Sequence, residues 1–339
     1  MKLIKTKEAV GHVLCHDMTQ IIPGVKKDAV FRKGHIITEE DIPVLLSMGK
    51  ENLYVWEKKE GMLHEDEAAM MLYELCRNDN MERTEIKEGK ISLKASIDGL
   101  LKIDIDRLNE INAIGEIIIA TRHSNFPVNK GDIIASMRVV PLVIEEEKLR
   151  IAKEKAGDKP LFEIIPFKKK KAAIITTGTE VYTGKIKDAF GPVIREKLAE
   201  YDVEVIGQTI IGDDDKGITK AILQAVDKGA DIICCTGGMS VDPDDTTPTA
   251  IKNTGANIVS YGAPVLPGAM FLLAYYNNDI PIMGLPGCVM YNKRTIFDLV
   301  LPRVIAGEKL AKDNLTTLGE GGLCLGCEVC HFPNCSFGK

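Results

Sequence analysis

The apolar and polar positions of this chain change rhythm near residue 170. From Ala172 onward, short apolar runs alternate with stretches of helical period. Residues 172–176 are strand-like, 190–201 helical, 203–211 strand-like, 216–228 helical and 231–235 strand-like again. Strand-like runs near 256–260 and 280–284 follow, then a helical stretch from about 289 to 306. Strands alternating with helices of this length predict an α/β fold with a doubly wound, mostly parallel sheet. Before residue 170 the rhythm is mixed. His12-Val13-Leu14-Cys15 and Tyr54-Val55-Trp56 are strand-like. Ile42, Leu45 and Leu46 have helical spacing behind Thr38, a candidate N-cap. Ala68, Met71, Leu72 and Leu75 predict an amphipathic helix over 64–79. Apolar runs follow at Ile117-Ile118-Ile119, Ile133-Ile134 and Val139-Val140, and a charged helix over 145–157 ends at Gly157. The lysines from Lys168 to Lys171 read as a solvated entrance to the next strand. The pattern thus predicts a mostly β region at 1–60, a mixed α+β region at 61–168, an α/β domain at 169–310 and a cysteine-rich tail at 311–339.

Two glycine turns stand where strands of the α/β domain should end. Residues 235–245 read CTGGMSVDPDD and follow the apolar run Asp231-Ile232-Ile233-Cys234. They turn on Gly237-Gly238 and then present Ser240, Asp242, Asp244 and Asp245. Residues 176–180, TTGTE, follow Ala172-Ala173-Ile174-Ile175 in the same manner. Open α/β sheets bind ligands at the carboxyl edge of their strands. Glycine lets the backbone approach a phosphate closely, and exposed N–H groups bind the anion. Carboxylates repel phosphate, but they suit a divalent cation such as Mg²⁺ that bridges to its oxygens. Each acid also has a plainer role open to it. Asp242 and Asp244 can shape the turn around Pro243, Asp188 can cap a helix near Gly191-Pro192, and Asp213 to Asp215 can form a solvated turn with one cap.

Composition narrows the class of ligand. The chain has 339 residues, 45% hydrophobic and 27% charged, as in an ordinary globular protein of two or three domains. Its net charge of −6 leaves no basic surplus to neutralise nucleic acid, while a small anion needs only a local cluster of donors. No apolar run reaches the roughly 18–20 residues needed to span a bilayer, and the N-terminus lacks a signal-peptide core. A cytoplasmic protein that meets no membrane is expected. Its nine cysteines then call for a reason other than disulfides. Cys234, Cys235 and Cys288 read as small buried residues at strand ends and turns.

Five ordered segments resemble the molybdopterin-binding domain of molybdenum cofactor biosynthesis proteins. They are TTGTE at 176–180, DAFGP at 188–192 with Phe190 replacing the usual serine, IIGDD at 210–214, TGGMSVDPDDTTPTA at 236–250 and GLPGCVM at 284–290. That domain serves the molybdopterin adenylyltransferases and the molybdopterin molybdenumtransferases. The resemblance implies an enzyme that binds molybdopterin or its adenylylated form with Mg²⁺, and inserts molybdate with release of AMP. It leaves two alternatives: adenylyl transfer from a nucleotide, favoured by DAFGP and DDTTPTA, and a non-catalytic carrier or chaperone serving a molybdoenzyme. By the same resemblance Thr236, Gly237 and Gly238, continued by Met239 and Ser240, cradle the pterin phosphate or its dithiolene region. Thr177, Gly178, Thr179 and Glu180 line the other wall, with Pro286 and Gly287 at the last turn. Asp188, Asp213 and Asp245 take catalytic places, and Asp242 with Asp245 would hold the cation. A homo-oligomer is implied as well.

Residues 9–19, AVGHVLCHDMT, and 31–55, FRKGHIITEEDIPVLLSMGKENLYV, resemble the first domain of the molybdenumtransferases more faintly. The chain departs from that family in several places. The Met-Asp-Gly-Tyr-Ala segment is absent, and no segment matches the C-terminal β-barrel. The Pro-Gly-Lys-Pro loop appears as Pro267-Gly268-Ala269-Met270, which removes a cation that would hold the oxyanion. The Leu-Pro-Gly-Asn-Pro turn appears as Leu285-Pro286-Gly287-Cys288-Val289, so Cys288 stands in the site of an asparagine.

The tail adds a separate chemistry. Cys324, Cys327, Cys330 and Cys335 have the spacing C-x2-C-x2-C-x4-C, with His331 beside the third. Four soft ligands within twelve residues suit tetrahedral Zn²⁺ or an iron–sulfur cluster, and bacterial ferredoxins use a similar run with one residue fewer before the last cysteine. Capture of a soft metal destined for the cofactor is a third reading.

Overall fold

The computed structural model describes residues 2–22, 26–55, 60–240, 242 and 245–339. Trp56, Pro243 and Asp244, which the sequence assigns to a strand and to the acidic turn, lie outside the described residues. The chain forms two compact units, each traced through more than one segment.

The first unit comprises residues 1–97, 103–122 and 129–164. Its N-terminal part pairs Lys2–Lys5 with Asn52–Val55 and Met18–Ile22 with Lys26–Phe31, all antiparallel. Leu14, Met18, Phe31, Ile37, Leu45 and Leu53 close a small core there. The run at 12–15 makes only isolated bridges, Val13 to Ile36 and Leu14 to Val55, and forms no strand. Thr38 is not an N-cap. The Asp41 carboxylate instead accepts the Thr38 N–H and hydroxyl, both at 2.8 Å, and the helix Asp41–Ser47 starts behind Glu40. Farther on, Met81–Arg83, Ile91–Ala95, Ile133–Val139 and Ile117–Thr121 form a four-stranded antiparallel sheet. The helix expected over 64–79 runs from Glu65 to Cys76. The charged helix runs from Glu146 to Ala156 and ends on Gly157, whose φ of 61° is the left-handed geometry glycine tolerates.

The second unit comprises residues 98–102, 123–128 and 165–339. The strands of its main sheet are β1 (Lys171–Thr177), β2 (Glu204–Ile211), β3 (Ile232–Thr236), β4 (Asn257–Tyr261), β5 (Leu272–Tyr276) and β6 (Ile280–Leu285). They lie in the order β2-β1-β3-β6-β5-β4. The first four are parallel, and β5 and β4 complete the sheet antiparallel. The helices are α1 (Thr179–Tyr182), α2 (Phe190–Ala199), α3 (Asp215–Asp227), α4 (Thr247–Asn253), α5 (Ile296–Ile305) and a short α6 (Lys312–Thr316). Successive strand residues face opposite sides, and the core divides accordingly. Ile174, Cys234 and Met283 pack with α2 and α5 through Ile194, Leu198, Phe297, Val300 and Val304. Ala173, Ile175, Ile233, Cys235 and Ile282 pack with α3 and α4 through Ile218, Ile222, Ala250 and Ile251. Helices on both faces make the sheet doubly wound. Each fully buried aliphatic side chain in it contributes about 1.5–3 kcal/mol. Cys234 and Cys235 face these two layers, and burial pushes the Cys234 thiol up to about 12 and raises Cys235 as well.

Several elements differ from the sequence pattern. α1, α4 and β5 were not expected, and the stretch from 289 to 306 is not one helix. A 3-10 turn at Gly287–Met290 is followed by an open loop, and α5 begins only at Ile296. A reciprocal cap sets that start: Thr295 accepts the Phe297 N–H, and Asp298 accepts the Thr295 N–H at 2.7 Å.

The tail is part of this second unit. The Leu266 N–H donates to the Gly322 carbonyl, and the Cys324 N–H donates to the Leu266 carbonyl at 2.7 Å. Phe337, 2% exposed, enters the same core as Leu299 and Val300.

Candidate functional site

The strand register brings the glycine turns to one edge. Thr176 aligns with Ile210 on β2 and with Thr236 on β3, and Thr236 aligns with Leu285 on β6. The segments after Thr176, Ile211, Thr236 and Leu285 therefore leave the sheet at one level, on its carboxyl side.

The Gly237-Gly238 turn is built against TTGTE and α4. Both glycines have positive φ, 82° and 52°. A Cβ on Gly237 would overlap the Thr177 carbonyl oxygen and stand 2.7 Å from Thr177 Oγ1. The Thr247 hydroxyl donates to the Gly237 carbonyl at 2.8 Å, and the Thr247 N–H donates to Gly238 at 3.2 Å. That hydroxyl has one proton, so across the 3.2 Å between the two oxygens Thr177 donates to Thr247. The loop is thereby held with two buried hydroxyls to spare. Among the described residues, Thr236 Oγ1, on a residue with no exposure, and Thr246 Oγ1 have no hydrogen-bond partner. A buried polar group without a partner costs about 1–3 kcal/mol.

The acids are placed around this cradle in three ways. Asp188 accepts the N–H groups of Phe190 and Gly191 at the start of α2, and Gln208 Nε2 at 2.7 Å. Gln208 also donates to Thr176 Oγ1 at 3.0 Å, which ties Asp188 to the end of β1. Asp213 accepts the Thr179 N–H and hydroxyl at 2.9 and 3.0 Å and so joins TTGTE to the end of β2. Asp214, its neighbour, caps α3 through the Gly217 N–H. Asp245 accepts the Asp242 N–H at 2.9 Å and returns its own N–H to the Asp242 carbonyl. Tyr261 reaches back from β4 to donate to the Met239 and Ser240 carbonyls, and partial burial and the Asp245 charge raise its phenol.

The remaining positions divide by exposure. Gly178 is buried with φ of 134° and donates its N–H to Ile211, whereas Thr179, Glu180 and Ser240 are exposed. The Met239 side chain is 4% exposed and lies where a Cβ on Gly284 would sit, so only its backbone faces the edge. Pro286 is buried and Gly287 exposed, and the Pro286 carbonyl accepts the Val289 N–H in the turn after β6. Thr246, Gln208 and Tyr261 were not singled out from the sequence. Thr246 lies in DDTTPTA, where its hydroxyl was a readable signal. Gln208 in mid-strand and Tyr261 on a distant strand carried none.

Among the described residues, no three His, Cys, Asp or Glu side chains converge to hold a single metal ion. Mg²⁺ needs less from a protein, because one or two carboxylates and substrate phosphates suffice. Asp242 and Asp245 follow the Gly237-Gly238 turn, and the Asp245 carboxylate accepts the Asp242 N–H. The unpaired hydroxyls and the close-packed glycine fit an anionic ligand.

Residues 173–306 match the family described as "Probable molybdopterin binding domain". This segment belongs to the molybdopterin-binding domain family of molybdenum cofactor biosynthesis. Residues 3–57 match a domain of unknown function, DUF8806. Among curated relatives, a CinA-like protein of Mycobacterium avium is 42% identical over 77 residues, which are 23% of this chain and 18% of that protein. A CinA-like protein of Mycobacterium tuberculosis is 39% identical over 77 residues, 23% of this chain and 18% of that protein. The match thus spans less than a fifth of the relatives' length. Among solved structures, the molybdopterin biosynthesis enzyme MoaB of Thermus thermophilus is 22% identical, covers 41% of this chain and 98% of its own, and has a TM-score of 0.33. A molybdenum cofactor biosynthesis protein of Pyrococcus furiosus covers 91% of this chain and 66% of its own at 14% identity, with a TM-score of 0.26. In the molybdopterin-binding domain of this chain, the matched residues run from β1 into the turn after α5 and include the whole edge described above. No helix among the described residues is long and apolar enough to cross a membrane.

Proposed function

We propose that the molybdopterin-binding domain holds adenylylated molybdopterin at the carboxyl edge of its sheet and promotes insertion of molybdate with release of AMP, in the cytoplasm. The observation that carries this reading is the pair of buried hydroxyls, Thr236 Oγ1 and Thr246 Oγ1, that have no partner among the described residues and stand beside the Gly237-Gly238 turn. Two donors without acceptors, next to a backbone that only glycine can form, call for an oxyanion. Thr236 and Thr246 would bind phosphate oxygens, and the Gly238 to Ser240 backbone would lie along the ligand. Asp242 and Asp245 would hold Mg²⁺, which neutralises charge at the phosphoanhydride. Asp188 and Asp213, fixed by Gln208 and Thr179, would orient the nucleotide end. Positioning and charge neutralisation are the main demands of phosphoryl chemistry.

Ala269 favours a second reading. No cation stands at that position to hold molybdate, so a carrier that binds molybdopterin and delivers it to a molybdoenzyme needs nothing the site lacks. Incubation with adenylylated molybdopterin, Mg²⁺ and molybdate separates the two. AMP release that depends on molybdate is expected. Tight binding without release would replace the transferase with the carrier, and failure to bind would remove both. In the tail, the four cysteines would hold a soft metal, as zinc or as iron–sulfur.

A further inference from the structure

We propose that Cys324, Cys327, Cys330 and Cys335 bind a four-iron, four-sulfide cluster rather than a single metal ion. The four line one cavity of about 240 Å³ together with the Tyr291–Arg294 loop and Phe332. The inference concerns a site apart from the pterin edge and holds whether or not the transferase reading does.

Size decides between the two occupants. Tetrahedral zinc has Zn–S bonds of about 2.3 Å, which brings its four sulfurs to about 3.8 Å from one another. Here the cysteines surround a common space, yet no three of them converge on a point that an ion could fill. The space is also far larger than one ion requires, since a single water needs only about 10–15 Å³ of it. A cluster spaces its ligands farther apart, because each sulfur binds a different iron at the corner of a cube.

The surroundings agree in charge and in mechanics. A 2+ cluster held by four thiolates carries a net charge of about −2. Lys293 and Arg294 both line the cavity. Lys293 donates to the Glu328 carbonyl at 3.1 Å, inside the cysteine segment, and is the cation that meets the cluster, whereas Arg294 is already paired with Glu200 and Asp298 at 2.7 and 2.9 Å. The tail is tethered on both sides of the cavity. Cys324 is fixed by its bond to Leu266, and Cys335 packs against the core between Phe332 and Phe337. Cys327 and Cys330 lie exposed between these anchors. Two inner ligands on rigid backbone and two outer ones on a surface loop allow a preformed cluster to seat first and be closed afterwards. In that ligation each thiol loses one proton and gains one iron, and no electron moves. His331 lines the same cavity but is not needed as a ligand.

The test uses the full chain, purified anaerobically and incubated with equal amounts of ferrous and ferric iron and with sulfide, which together balance a 2+ cluster without an added oxidant, with parallel samples given Zn²⁺ alone or molybdate alone. About four irons and four acid-labile sulfides per chain are expected, with a visible charge-transfer band that dithionite bleaches. Cys327→Ser, at an exposed position, should lower iron to three or fewer per chain. The double variant Cys324→Ser, Cys335→Ser should reduce it to background. His331→Ala and Cys288→Ser should keep the full complement. If the double variant fails to fold, Cys327→Ser still decides. One zinc or one molybdenum per chain without labile sulfide would overturn the proposal. So would iron that survives Cys327→Ser but is lost with His331→Ala.

Discussion

Thr236 and Gly237 are neighbours in the cradle, and changing them should have opposite effects on stability. Thr236→Val removes a buried hydroxyl that has no partner and keeps the shape of the side chain. Stability should stay level or rise by up to about 1 kcal/mol. Affinity for molybdopterin should fall about tenfold, the worth of one hydrogen bond of about 1.4 kcal/mol. Thermal midpoint and ligand titration on one sample check both, and a variant that unfolds easily would show the hydroxyl to be structural. Gly237→Ala should lose about 2–5 kcal/mol, from left-handed strain and from overlap with Thr177. Gly229→Ala has a similar φ, +86°, with nothing near the added methyl, and should cost only about 1–2 kcal/mol. Equal losses in urea titrations of the two would contradict the close packing at Gly237. At this scale the sequence was informative about glycine and less so about acids. Gly237-Gly238 could be read because only a strand end explains two glycines after an apolar run. The acids could not be sorted, because a carboxylate that caps a helix, as Asp188 does, has the same letter as one that holds a cation.

At the scale of elements, α2 and α5 are joined by a buried ion pair. Lys197 Nζ lies 2.7 and 2.9 Å from the two oxygens of Asp298, and Arg294 reaches the same carboxylate at 2.9 Å. The Lys197 and Asp298 side chains are 7% and 2% exposed. Lys197→Met should cost about 3–5 kcal/mol, because it leaves a buried carboxylate short of its partner. Asp298→Asn should cost less, since the amide oxygen can still cap α5. A urea titration that ranks them the other way would place the main burden on the cap. The parallel strands were legible because a strand buried on both faces is a continuous apolar run. β5 was obscured by the alternating rhythm, in which a helix was due. Its signal was nevertheless present: Asn277-Asn278, with φ of 49° and 62°, turns β5 directly into β6, a hairpin that asparagine favours. The break between Gly287–Met290 and α5 had a signal too, in Thr295 three residues before Asp298.

The second unit draws residues from distant parts of the chain, and one carboxylate reports on how they are held. Glu308 accepts from Arg303 at 2.7 and 2.9 Å and from Lys102 at 3.1 Å. Partial burial alone would raise its carboxyl, but the Arg303 hydrogen bonds and charge, with Lys102, hold it below the ordinary value. A carboxyl lowered on folding stabilises the folded protein above its unfolded value of about 4.5 and stops doing so as pH falls below that. Glu308→Gln should therefore cost about 1.5–3 kcal/mol at neutral pH, and the loss should shrink in unfolding curves taken progressively below about pH 4.5. A constant difference across that range would assign the cost to packing. No sequence pattern announced this contact, because Lys102 and Glu308 stand 206 positions apart. The strand that carries Thr236 has a different significance for the whole molecule. β3 is buried at all five positions and is bonded on both sides, to β1 and to β6. Its amides should be among the last to exchange with deuterium, opening only when the second unit unfolds globally. A ligand held on its end, as proposed, would not be released by local fraying of that strand and would leave through the loops while the floor beneath it stays closed.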